Sequence, residues 1–148
     1  MKLLIVSFLC LNFAFLNAQE LMDLRSNFSK AVTQKEVCEE MINLLENDSS
    51  SSVNLAYLGA FQTIWAKHVG NPFSKLKTFK RGKKNIEQAV KNDPNNIEIR
   101  YLRYAVQKNA PGFLNYSKNL KEDKIFLEKN LDKIQSEELK KQVKMILE

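Results

Sequence analysis

The chain has 148 residues, 44% of them hydrophobic, and carries 23 lysines and arginines against 17 aspartates and glutamates, for a formal charge of +6. That length suits one domain rather than two, and the composition is that of a globular chain, neither fibrous nor disordered. A single histidine, His68, leaves no histidine pair for a metal and no second imidazole for a proton relay, and no GxSxG, HExxH, CxxC or P-loop sequence is present.

Lys2 precedes an apolar run from Leu3 to Leu16, and the chain turns polar at Gln19, the layout of a secretory signal peptide. The run is too short to span a bilayer comfortably. The expected organisation is a signal peptide over residues 1–18, cleaved after Ala18, and a single helical domain over 19–148 that works in the periplasm or outside the cell. Lipoprotein processing at Cys10 fits less well, because Phe8 and Leu9 are not the small residues it requires. The bulky Leu16 departs from the small-x-small rule and leaves an uncleaved anchor as the alternative. Loss of the leader leaves one cysteine, Cys38, so no intramolecular disulfide can form and the fold must stand on its core. Cys38 shares an apolar stripe with Met41, Ile42 and Leu45, which marks a buried, inert thiol rather than a nucleophile.

Leu21, Leu24, Phe28 and Ala31 line one face of a first helix, and Thr33 with Glu36 offers a capping box that opens a second, running to about Asn47. Asn47, Asp48 and four serines form a short polar link between helices. The most apolar helix spans Val53 to about Val69, holds Leu55, Leu58, Ile64 and Trp65, and ends at Gly70-Asn71-Pro72; it is expected to be central. Then comes the stretch around which the chain is expected to organise, Asn71 to Gln107. Leu76, Phe79, Ile86, Ala89 and Val90 make one helical stripe, with Gly82 beside it where a neighbouring helix can approach closely. Pro94 stops that helix near Lys91 or Asn92, and Asn96 caps the next. Leu76, Phe79, Ile86 and Leu102 are the expected seam of this hairpin. Ala110-Pro111-Gly112 ends the second helix and leads into a compact connection through Phe113, Leu114 and Tyr116. A helix from Lys121 to Lys133 and a last one opened by Ser136 complete the chain.

The segment AVKNDPNNIEIRYLRYAVQ resembles the junction between two tetratricopeptide-type repeats, and Ala56, Leu58, Gly59 and Phe61 are similar to the Leu-Gly and aromatic positions of such a repeat's first helix. The match covers under half of the chain. Gly59 and Pro94 stand 35 positions apart, more than one repeat of about 34 residues, so the helices must be longer than the family's. The chain also resembles a group of small exported helical proteins of Bacteroidetes-like bacteria that carry NPFxKLxxFxxGKKxIExA followed by DPxNxEIRxLR, which implies a fold and no activity. No stretch shows the sustained alternation of a strand, so the expected fold is all α, with six to seven helices in antiparallel pairs joined by short loops; the repeat resemblance implies that they form a tetratricopeptide-like right-handed stack.

No constellation points to catalysis, and no metal or other cofactor is expected. The adjacent acidic pairs Glu39-Glu40, Glu122-Asp123 and Glu137-Glu138 point to different faces of a helix rather than converging. Three features are candidates for binding. Lys77, Lys80, Arg81 and Lys84 form a basic patch within KLKTFKRGKKN that suits phosphates or anionic lipid, although a solvated helix face is the simpler reading; contact with a membrane surface stays open and nucleic acid is not an expected partner. Arg100 and Arg103 share one helix face and Tyr101 and Tyr104 another, which fits recognition of carboxylate or aromatic groups, or else internal pairing with a carboxylate such as Glu98 or Glu87. Trp65 and His68 line a groove or belong to the core. The Asn-x-Ser triplets at Asn27, Asn47 and Asn115 are glycosylation acceptors only in a eukaryotic secretory pathway. The expected function is that of an exported, non-enzymatic binding or scaffolding protein with a helical-repeat-like surface for a peptide or protein partner. The alternative is a small-molecule or lipid-binding protein, or an enzyme with a dispersed site.

Overall fold

In the computed structural model, residues 18–48 and 51–148 are described, and over these residues the protein is all α, with seven α-helices and no strand. They are α1 (residues 18–30), α2 (Lys35–Asn47), α3 (Ser52–His68), α4 (Pro72–Asn92), α5 (Ile97–Asn109), α6 (Leu120–Asn130) and α7 (Glu137–Leu147), with short 3-10 turns at Gly112–Leu114 and Leu131–Lys133. The leader read over residues 1–18 lies outside the described residues except for Ala18. No described helix is long and apolar enough to cross a membrane.

Side-chain caps set most helix starts. Ser51 accepts from the amide of Asn54, Asn71 from Phe73 and Ser74 with Pro72 in the first turn, Asn96 from Glu98 and Ile99, and Ser136 from Leu139. The expected capping box at Thr33 does not form. The Thr33 hydroxyl donates instead to the Lys30 carbonyl at the end of α1, and Gln34 becomes the N-cap of α2 without a side-chain bond. The last part of the expected Lys121–Lys133 helix tightens into the 3-10 turn.

Helix α3 is the centre. Every residue from Ala56 to Ile64 is buried, because α3 packs on α2, α4 and α5 at once and has no face left for solvent. Its interface with α4 is the most extensive among helices α2 to α7. The reason is a glycine pair: a Cβ on Gly59 would stand 2.6 Å from the Gly82 carbonyl oxygen, and one on Gly82 would collide with the Gly59 carbonyl oxygen. The two backbones therefore touch, and Ile86 and Thr63 seal the crossing on either side.

This relocates the expected α4–α5 seam. Ile86 packs on α3, Phe79 meets Tyr116 edge-on with ring centroids 6.0 Å apart, and Leu76 remains 39% exposed, so the organising pair is α3 with α4 rather than α4 with α5. The physical reason is side-chain size. A glycine on each helix brings axes closer than any pairing of large side chains can, and α4 follows the glycine face of its stripe.

An aromatic cluster joins α1 to this centre. The Phe28 ring meets Tyr57, Phe61 and Tyr101 in edge-to-face contacts with centroids 6.0 to 6.2 Å apart. Cys38 is fully buried against the Phe61 carbonyl, and burial pushes its thiol up to about 12, the behaviour of an inert packing residue.

Gly82→Ala tests the crossing. Helix propensity alone favours alanine by about 1 kcal/mol, whereas overpacking against rigid backbone costs about 1–3 kcal/mol. The expected result is a net loss of stability, measured as a lower melting temperature by circular dichroism; a rise would show that the helices do not touch there.

Candidate functional site

Arg100 and Arg103 face inward to Asp123 on α6, a carboxylate with no solvent exposure. Arg100 Nε donates to Asp123 Oδ1 at 2.5 Å, and Arg103 donates from Nε to Oδ2 and from Nη2 to Oδ1, both at 2.7 Å. Arg100 also donates to Glu122 at 2.6 Å and to the Pro94 carbonyl, and lies over the Phe126 ring. Arg103 reaches Glu87 on α4 at 3.4 Å, and Glu87 accepts the Tyr116 hydroxyl at 2.6 Å. Burial alone would lower the pKa of Arg103, but the hydrogen bonds and charge of Asp123 outweigh it and hold it above its ordinary value. The Glu122 carboxyl is lowered, first by the hydrogen bond from Asn119 and then by Arg100. The two arginines are braces between α4, α5 and α6.

A second buried network ties α1, α3 and α5. Arg25 clamps Glu98 with two bonds, Nε to Oε1 at 2.8 Å and Nη2 to Oε2 at 2.7 Å, while the Tyr57 hydroxyl donates to Oε1 at 2.7 Å. The bond to Glu98 raises the pKa of Arg25, and burial raises those of the Tyr57 and Tyr101 phenols. Gln142 of α7 closes onto the Arg25 carbonyl at 2.9 Å.

The other predicted residues separate. Trp65 packs partly buried against the core under Lys35, and His68 Nε2 contacts the Ala31 carbonyl at 2.7 Å, fixing the turn after α1. Tyr104 is buried beneath Lys108. The basic patch is split: Lys77 and Arg81 border a small cleft beside Trp65, where Arg81 pairs with Glu46 at 2.8 Å, whereas Lys80 turns to a larger cleft and Lys84 stays in solvent.

That larger cleft has a volume of about 960 Å³. Its floor is buried core: Ile64 of α3, Phe79 of α4, and Tyr101, Ala105 and Val106 of α5. Val32, Leu76 and Phe113 stand at its mouth, Phe113 being 81% exposed on the loop that Pro111 and Gly112 turn outward. Lys67, Lys75, Lys80 and Lys83 line the same space, and no aspartate or glutamate does. Of the predicted binding residues only Tyr101, with Lys80 of the basic patch, belongs to it. Sequence reasoning missed Asp123 although a signal existed: Leu120, Asp123 and Leu127 follow a three-and-four spacing, so the carboxylate sits in phase with apolar residues. The cleft had no comparable signal, since its lining comes from elements scattered between Phe28 and Ile146.

Among the described residues, no group of three or more His, Cys, Asp or Glu side chains is placed to hold a metal ion. Comparison with protein families, with curated proteins and with solved structures returns no match.

Removing one arginine leaves Asp123 buried and undercompensated, so Arg103→Ala should cost on the order of 3 kcal/mol. Lys77→Ala and Lys84→Ala, on exposed side chains, should each move stability by less than about 0.5 kcal/mol. Urea unfolding of the three variants checks both figures; an Arg103→Ala protein as stable as the parent would contradict the bracing role.

Proposed function

We propose that the protein is an exported, non-enzymatic binding or scaffolding protein that docks an apolar segment of a peptide or protein partner in the cleft between α3, α4 and α5. The observation that carries this reading is the continuous apolar floor of a cleft of about 960 Å³ whose mouth keeps Phe113, Leu76 and Val32 in water. Apolar surface exposed around a concavity gains free energy when a partner covers it. Four groups able to do acid–base or nucleophilic work are engaged elsewhere: Cys38 in the core, His68 at the α1 turn, Asp123 between two arginines, and Glu98 between Arg25 and Tyr57. An apolar small molecule or lipid is the second reading, favoured by the depth of the floor, where Ile64, Phe79 and Val106 are nine-tenths or more buried.

Two measurements test the proposal. A photocrosslinker at Phe113 should capture a peptide or protein from the native source, the same group at exposed Ile125 outside the cleft should not, and Leu76→Glu should abolish capture without changing the melt. Equal capture from both positions, or capture that survives Leu76→Glu, would refute docking in the cleft. For export, mass spectrometry of the native protein should place the N-terminus at or close to Gln19; an intact Met1 in membranes would refute it.

A further inference from the structure

The charged side chains that line the cleft are all of one sign. Elsewhere Arg25, Arg81, Arg100, Arg103, Lys124 and Lys140 each lie within 4.0 Å of a carboxylate. Lys67, Lys75, Lys80 and Lys83 share no ion pair with any described residue, and no acidic side chain lines the cleft beside them. Lys83 is steadied over the Tyr116 ring at 4.8 Å, and the other three are exposed. The first turn of α4, which holds Lys75, contains no acidic residue, so the positive end of the helix dipole adds to the field. Apolar surface therefore sits inside an arc of uncompensated positive charge. An occupant that is only apolar would bring four lysines toward a low-dielectric contact without relieving their mutual repulsion.

Resting on the reading of the cleft as a protein-docking surface, we propose that its occupant is an acidic amphipathic helix of the partner: apolar anchors at i, i+4 and i+7 enter the cleft, and aspartates or glutamates flanking them meet the lysines. The geometry sets the spacing. Lys75 and Lys83 are eight residues apart on one helix, about 12 Å at 1.5 Å per residue, so the facing carboxylates extend over about two turns of the bound helix. Phe113, Leu76 and Val32 supply the apolar collar around the anchors. The chain's own first 17 residues contain no acidic side chain, so they would match the floor and leave the lysines unanswered.

The test uses the purified protein and three synthetic helical peptides with leucines at i, i+4 and i+7, their flanks carrying glutamate, glutamine or lysine. The glutamate peptide should bind roughly tenfold or more tighter than the glutamine peptide at low salt. That advantage should vanish near 1 M salt, where the screening length falls to about 3 Å. The triple variant Lys67→Glu, Lys75→Glu, Lys80→Glu changes only exposed side chains and should reverse the preference toward the lysine peptide. Equal binding of all three peptides would overturn the charge proposal and leave the docking cleft standing. Binding of none of them would overturn both, and tight binding of oleate with no binding of the glutamate peptide would assign the cleft to a lipid anion instead.

Discussion

The contact between the backbones of Gly59 and Gly82 is the constraint on which the rest depends. It lets α3 and α4 approach until the carbonyl of each lies where the other's side chain would begin. Close packing of this kind maximises dispersion contacts along the crossing, but it leaves no room for adjustment, so the angle of α4 on α3 is fixed by two residues. Everything α4 carries is placed by that angle, including Phe79 in the cleft floor, the lysines of its rim and Glu87 in the buried network.

The arginine–carboxylate networks act at a second level. They do not build the core; they fix how the later helices sit on it. Asp123 pulls two arginines of α5 toward α6, while Glu98 draws Arg25 of α1 and Tyr57 of α3 to the other side of α5. A buried carboxylate without these donors would cost several kcal/mol, so each network tolerates one arrangement of its helices and penalises others. Helix α5 is held on both flanks, and its remaining surface, at Tyr101, Ala105 and Val106, forms part of the cleft floor. Arg100 and Arg103, which looked most like ligand contacts, therefore hold that wall in place and do not line the cleft.

The cleft itself is a consequence of these two devices. Close contact of α3 with α4 and bracing of α5 against α6 leave space over the C-terminal end of α3, which Phe28, Ile146 and the outward loop at Phe113 border without filling. The chemistry of a space left between fixed elements is set by its lining: apolar below, cationic at the rim.

Local sequence specified the helices, the caps at Asn96 and Ser136, the stop at Pro94, the buried state of Cys38 and the close approach at Gly82, because each follows from backbone chemistry or from helical period. It also narrowed Arg100 and Arg103 to two roles. Only the tertiary structure decided between them, because Asp123 lies 20 positions from Arg103 in the chain and period alone does not pair one helix face with another. For the same reason the partner of α4 was misassigned: the stripe of Leu76, Phe79 and Ile86 specifies that a face is buried, but a stripe has no record of which helix buries it. The cleft was illegible for a further reason. An absence of packing has no residue of its own, and it arises only when helices far apart in sequence have been fixed in place.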